Sequence, residues 1–175
     1  MIDKLLEQLD ACVEAREWAK GKSWQEIYNT CHRGDWLLWL FARTNPDNLK
    51  ELTLAKGHCA NTVRRLMQDE RSIIAVDTAI AFGEGRATRE ELSAAADAAD
   101  IAYHDAGSAA DVAYHAADAA NAAAASAYYA ASAAAASAAA ASATTYYAAR
   151  KANQLETANI CRKYLPISVW NVKED

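Results

Sequence analysis

Two histidines in an alanine-rich region each follow an aspartate by one helical turn. The pairs are Asp100 with His104 and Asp111 with His115. This spacing brings two side chains together on a helix, so each imidazole could act as a base or as a metal ligand. On one helix the pairs would lie about 16 Å apart and could not share an ion, and no nucleophile is spaced to use either base. A local hydrogen bond is therefore the simplest interpretation.

These pairs belong to a longer polar stripe on one face of the predicted helix. At about 100° per residue, nine positions fall inside an arc of roughly 80°: Ser93, Asp97, Asp100, His104, Ser108, Asp111, His115, Asp118 and Ser126. Tyr103 and Tyr114 flank the stripe on one side, Ile101 and Val112 on the other, and alanine fills most of the remaining surface. We expect the alanine face to pack against the domain and the stripe to face solvent or a partner. The candidate partner-binding residues are Asp97, Asp100, His104, Asp111, Tyr114, His115 and Asp118.

Negative charge is concentrated in this region. Residues 90–149 contain seven acidic residues and neither Lys nor Arg, in a chain whose net charge is −5. A surface of one sign attracts a partner of the opposite sign, so we predict a protein partner with a basic surface. The negative balance argues against direct nucleic-acid binding. The same pattern is also typical of a solvated face that keeps an alanine-rich helix in solution.

The alanine-rich region repeats every 11 residues. Residues 97–107 read DAADIAYHDAG, and residues 108–118 read SAADVAYHAAD. Eleven residues make three turns, so equivalent positions stay on one face. Alanine favours helix from Thr88 to Tyr164. Because one rod of about 110 Å would exceed a domain of this size, we expect a break near Gly107.

The sequence predicts an all-α, compact multi-helix domain of about six to eight helices. Two Pro and six Gly in 175 residues argue against a many-stranded β protein. We expect a single domain over 1–175, with short amphipathic helices in 1–86 and long alanine-rich helices in 88–165. The short helices are predicted at 3–19, 24–31, from 35 to the Asn45-Pro46 turn, 47–69 and 71–82.

Helix boundaries and polar partners follow from local spacing. Ser23 with Glu26 and Thr88 with Glu91 form capping boxes, and Gly34 is predicted to end one helix before Asp35 caps the next. Arg16 interrupts the apolar face of 3–19, where a guanidinium needs a partner. We expect Arg16 and Arg33 to pair with Asp35 or with a helix end. The tryptophans are predicted to be core or half-buried residues: Trp18, Trp24, Trp36, Trp39 and Trp170.

No feature of the sequence calls for a cofactor, a metal or a membrane. The four cysteines, Cys12, Cys31, Cys59 and Cys161, lack CxxC spacing, and we expect them to be reduced and buried. Neither a phosphate-binding glycine loop nor a hydrolase or metalloprotease motif occurs, so no catalytic residue is predicted. Residues 119–149 are uncharged but contain no Leu, Ile, Val or Phe, which disfavours a membrane span. The N-terminus does not look like a secretory signal, so we expect a cytoplasmic protein.

Three stretches together resemble a family of bacterial immunity proteins from toxin–immunity systems. They are ACVEAREWA at 11–19, CHRGDWLLWL at 31–40, and the acidic Ala/Tyr repeat; CRKYLP at 161–166 is also similar to that family. The resemblance covers nearly the whole chain and implies that the protein binds and blocks a cognate toxin. It supplies no binding residues, so the Asp/His stripe rests on charge and periodicity alone.

Other functions remain open from the sequence. Acidic residues at phosphate-like spacing are typical of a DNA-mimicking anti-defence protein of a mobile element. Alanine-rich helices with an 11-residue period also resemble some ice-binding proteins, although the regular threonines of those proteins are missing here. A small enzyme, a structural protein and a symmetric homodimer packed through alanine faces are further alternatives.

Overall fold

Every regular element in the described part of the chain is helical. The computed structural model describes residues 2–67, 69–106 and 143–172, and within these ranges there are eight α-helices, two 3₁₀ turns and no strand. The helices are α1 (Ile2–Gln8), α2 (Val13–Ala19), α3 (Trp24–Thr30), α4 (Gly34–Thr44), α5 (Leu49–Asn61), α6 (Glu70–Gly83), α7 (Arg89–Ala106) and α8 (Ala143–Tyr164). The predicted all-α class is confirmed. The expected break near Gly107 lies outside the described residues.

The first predicted helix is in fact two helices, so that prediction is wrong. Asp10 adopts a left-handed φ of 55° between α1 and α2. The Ala11 amide donates to the Leu6 carbonyl at 2.9 Å across this turn, a bond typical of a helix C-terminus closed by a left-handed residue. Leu6 and Ala11 are both buried there. Arg16 is exposed on α2, so its guanidinium does not lie within a buried apolar face, where it would have needed a partner.

The start of α3 is as predicted, but the start of α4 is not. The Ser23 hydroxyl accepts from the Glu26 amide at 3.2 Å, and the Glu26 carboxylate accepts from the Ser23 amide at 2.8 Å, so the first capping box is confirmed. Gly34, however, does not separate helices; it is the first residue of α4. A Cβ at Gly34 would lie 2.6 Å from the backbone carbonyl carbon of Thr157 on α8. The glycine therefore serves a close helix–helix contact.

α5 is shorter than the helix predicted over 47–69. It ends at Asn61, and a 3₁₀ turn follows at Arg64–Leu66. Just beyond α5, the Thr62 hydroxyl accepts from Nδ2 of Asn153 on α8 at 2.9 Å. A tertiary hydrogen bond therefore forms just beyond α5, at a position where the sequence periodicity predicted that the helix would continue.

The main core lies where the C-terminal segment meets α3 and α4. Trp170 packs against Trp24, Tyr28 and Phe41, with ring centroids 4.8 to 6.2 Å apart. Its indole N–H donates to the Leu165 carbonyl at 2.9 Å, which satisfies the polar end of a buried ring. Trp24 and Trp170 are buried and the other three tryptophans are half-buried, so their predicted packing role is confirmed.

Arg162 of α8 closes the end of α3. Its Nε donates to the Tyr28 carbonyl at 2.7 Å and its Nη2 donates to the Cys31 carbonyl. The Tyr28 hydroxyl donates back to the Arg162 carbonyl at 3.1 Å. Because the last carbonyls of a helix lack donors within the helix, this guanidinium satisfies them from another element.

Among the described residues, the helices from α4 to α8 pack on one another as neighbours. α7 packs on α6, α6 on α5, and α5 on both α4 and α8. Alanines from both helices are buried between α6 and α7: Ala75, Ala79, Ala95, Ala96 and Ala99. Within residues 2–67, 69–106 and 143–172, no helix has the length and apolar character needed to cross a membrane.

Candidate functional site

The start of α7 is held by the second predicted capping box. The Thr88 amide donates to the Glu91 carboxylate at 2.7 Å, and the Thr88 hydroxyl accepts from the Glu91 amide at 3.1 Å. Hydrogen bonding to Thr88, first through its amide, lowers the pKa of Glu91 because it favours the ionised form. Carboxylates are also stabilised at a helix N-terminus, so the first turn of α7 is well determined.

α7 has a buried face and an exposed face over residues 89–101. The buried residues are Leu92, Ala95, Ala96 and Ala99. The exposed residues nearly opposite them form what we call the acidic face: Glu90, Ser93, Asp97, Asp100 and Ile101. At about 100° per residue these five positions lie within an arc of roughly 100°. This is the orientation that the helical spacing of alanine and aspartate predicts.

The acidic face combines charge with a small apolar contact. Asp97 and Asp100 are three residues apart and therefore neighbours on the helix surface. Ile101, which follows them, is 56% exposed. Exposed carboxylates on a helix can attract lysine and arginine side chains, and an exposed isoleucine beside them can add apolar burial. The arrangement is suited to recognition of a cationic surface.

The predicted partner-binding residues are divided between described and undescribed parts of the chain. Asp97 and Asp100 are exposed on α7. His104 lies on the same helix. The remaining four, Asp111, Tyr114, His115 and Asp118, lie outside the described residues, as does the second copy of the repeat.

A second polar site surrounds Arg33, just before α4. Asp35, which we predicted to cap α4, makes no cap. It instead accepts from Nε and Nη2 of Arg33 at 2.8 and 2.6 Å, which confirms the predicted pairing of these residues. Their side chains are only 11% and 10% exposed. The Arg33 guanidinium also lies 4.6 Å from the ring centroid of Trp36, and its Nη1 lies 3.8 Å from Oε1 of Glu14.

Three aromatic rings support this site. The ring centroids of Trp18, His32 and Trp36 are 6.0 to 6.4 Å apart in all three pairs. The rings are tilted or edge-on to one another, which is a favourable aromatic geometry. This cluster joins the C-terminal half of α2 to the start of α4.

A pocket of about 350 Å³ opens beside Arg33. It is lined by residues of α2, the α3–α4 connection and α8: Glu14, His32, Arg33, Arg150, Lys151 and Gln154. We call it the cationic pocket. Sequence reasoning missed it because its walls are more than 100 residues apart. One signal was present, since Arg150 and Lys151 are the first basic residues after the 60 positions that lack them.

Three cysteines are buried near α4 and α8. The thiols of Cys31, Cys59 and Cys161 donate to backbone carbonyls at 3.4 to 3.7 Å. Burial raises the pKa of Cys31 to about 11 and raises that of Cys161 well above its ordinary value, so the thiols of Cys31 and Cys161 stay protonated at neutral pH. Cys12 is exposed, so its predicted burial is wrong. In the described ranges no three His, Cys, Asp or Glu side chains are grouped to hold a metal ion.

Neither a family model, nor a curated protein, nor a solved structure matches this chain.

Proposed function

We propose that this protein is a non-enzymatic inhibitory binding protein, an immunity protein that neutralises a cognate toxin by occlusion through the acidic face of α7. The observation that carries the proposal is the exposure of Asp97 and Asp100 on a helix whose opposite face is buried. The likeness of the quoted motifs to bacterial immunity proteins supports the same function.

The proposed mechanism needs position and charge but no reaction. α7 is anchored through its alanines to α6, so its carboxylates are presented by a preorganised surface. Preorganisation reduces the ordering cost of association, and opposite charge accelerates the encounter with a basic partner. A basic surface around a toxin's active site would be covered directly, and its substrate would be excluded.

The test is affinity capture from the protein's own host, read by mass spectrometry. Wild-type protein is compared with an Asp97→Lys/Asp100→Lys variant and with a matched Glu7→Lys/Glu156→Lys control. The control changes the net charge equally at exposed positions of α1 and α8. We expect one basic protein to be captured by wild type and control and to be lost from the α7 variant.

The affinity of the purified pair is then measured at two salt concentrations. Reversal of two interface charges is expected to weaken binding about tenfold or more, mainly through slower association, and added salt should weaken wild-type binding. Equal affinities for all three proteins would place the interface elsewhere. A captured partner that is released by DNA would instead favour the DNA-mimic alternative.

A further inference from the structure

We propose that the cationic pocket binds a small phosphorylated molecule that also carries a hydroxyl or amino group. This inference is independent of the function proposed for α7, because the pocket is formed by α2, the α3–α4 connection and α8. Its six lining residues include three cationic side chains, an imidazole and the carboxylate of Glu14. Asp35, which pairs with Arg33 behind the pocket, adds a second carboxylate, so the site keeps a net positive charge. Such a set of N–H donors is suited to an oxyanion.

Arg33 is preorganised for this role. Asp35 holds two of its nitrogens at 2.8 and 2.6 Å, and Trp36 lies under the guanidinium at 4.6 Å. The side chain is 89% buried, since only 11% of it is exposed. A guanidinium held in this way loses little conformational freedom when a ligand arrives.

The close contact between α4 and α8 fixes the distance between the two sides of the pocket. Gly34, next to Arg33, lies so near to Thr157 that no Cβ fits between them. Gln154 of the pocket wall is three residues before Thr157, which is less than one helical turn. The spacing between Arg33 and the α8 cations is therefore set by backbone packing as well as by side-chain conformation.

Charge and size together favour a phosphate ester over a simple carboxylate. Arg150 and Lys151 add donors from α8, and several cations can engage the three terminal oxygens of a phosphate monoester, which carries nearly two charges at neutral pH. The pocket volume of about 350 Å³ exceeds what an inorganic ion needs. Glu14, whose Oε1 lies 3.8 Å from Nη1 of Arg33, repels anions but accepts hydrogen bonds. We therefore expect a hydroxyl or an amine of the ligand on the Glu14 side of Arg33, and the phosphate on the side of Arg150 and Lys151.

The test is calorimetric titration of the purified chain with three probes: ribose 5-phosphate, inorganic phosphate and succinate. We expect ribose 5-phosphate to bind at least tenfold more tightly than either of the others at low ionic strength. An Arg150→Gln/Lys151→Gln variant should lose at least tenfold in affinity. A Lys4→Gln/Lys50→Gln control, which removes the same charge from exposed positions of α1 and α5, should bind like wild type.

A Glu14→Ala variant provides a separate readout. It should raise the affinity for inorganic phosphate, because the repulsion by the carboxylate is removed. It should also reduce the ratio of the ribose 5-phosphate affinity to the phosphate affinity, because the hydrogen-bond acceptor for the hydroxyl is lost. The absence of ribose 5-phosphate binding at millimolar concentration would overturn the proposal, as would an equal loss of affinity in the control. Succinate binding as tightly as ribose 5-phosphate would overturn the assignment to phosphate. Because no toxin is present, these outcomes do not depend on the function proposed for α7.

Discussion

At the residue scale, two arginine–aspartate pairs show how burial changes the effect of one contact. Arg33 with Asp35 and Arg64 with Asp77 both use two guanidinium nitrogens on two carboxylate oxygens. The side chains of the first pair are 11% and 10% exposed, whereas those of the second are 39% and 56% exposed. Water screens the exposed pair. In the buried pair, removal of one partner leaves a charge that the protein must accommodate alone.

We therefore expect Asp35→Asn to be much more destabilising than Asp77→Asn. The buried variant should lower the free energy of unfolding by about 2–4 kcal/mol, and the exposed one by less than about 1 kcal/mol. Urea denaturation at pH 7, followed by circular dichroism, measures both. Similar losses in the two variants would show that burial of the Arg33 pair is unimportant.

At the element scale, the contact between α4 and α8 depends on the absence of a side chain. A Cβ at Gly34 would meet the backbone carbon, the Oγ1 and the Cβ of Thr157 at 2.6 to 2.7 Å. Backbone atoms at that distance cannot move without shifting a whole helix. The neighbouring Cys161 thiol donates to the Gly34 carbonyl at 3.5 Å, so the two helices are joined there by packing and by a hydrogen bond.

Gly34→Ala should destabilise the protein, although alanine is the better helix former. Helix propensity alone would favour alanine by up to about 1 kcal/mol. Overpacking against Thr157 should reverse the sign and lower the free energy of unfolding by about 1–3 kcal/mol. Chemical denaturation of this variant, alongside a Ser93→Ala control at an exposed site on α7, measures the effect. A stabilised Gly34→Ala variant would mean that α4 and α8 are further apart than described.

At the scale of the whole molecule, several titrating groups act on stability in the same direction. His58 stacks on Tyr164 with ring centroids 4.2 Å apart, and burial, followed by the charge of Lys163, lowers its pKa below 6.5. Hydrogen bonds also lower the pKa of four carboxyl groups: Glu26, Asp69, Asp77 and Glu91. In each case the unfolded chain binds protons at a higher pH than the folded chain, so stability falls as the pH falls.

We expect this loss in two stages. The first begins as the pH falls below about 6.5 and comes from His58, and the second begins below about 4.5 and comes from the carboxyl groups. The free energy of unfolding, measured from pH 8 to pH 4, should fall less in the first stage for His58→Gln than for wild type. An unchanged first stage in the His58 variant would show that His58 does not cause the loss of stability below about pH 6.5.

The sequence by itself determined those features that depend on neighbours within one or two helical turns. Both capping boxes form where spacing predicts them, because a cap needs only residues three positions apart. The outward position of Asp97 and Asp100 follows from the helical period in the same way. The Arg33–Asp35 pair also joins close neighbours in the chain, and it was predicted.

Tertiary structure decided what depends on distant residues. Local periodicity missed three features. They are the break at Asp10, the early end of α5 beside Asn153, and the packing of Gly34 against Thr157. It also missed the cationic pocket, whose residues from 14 to 154 meet only when α8 packs beside the start of α4. The physical reason is that helix propensity and capping act over a few residues, whereas close packing and tertiary hydrogen bonds act between elements whose separation along the chain leaves no periodic signal.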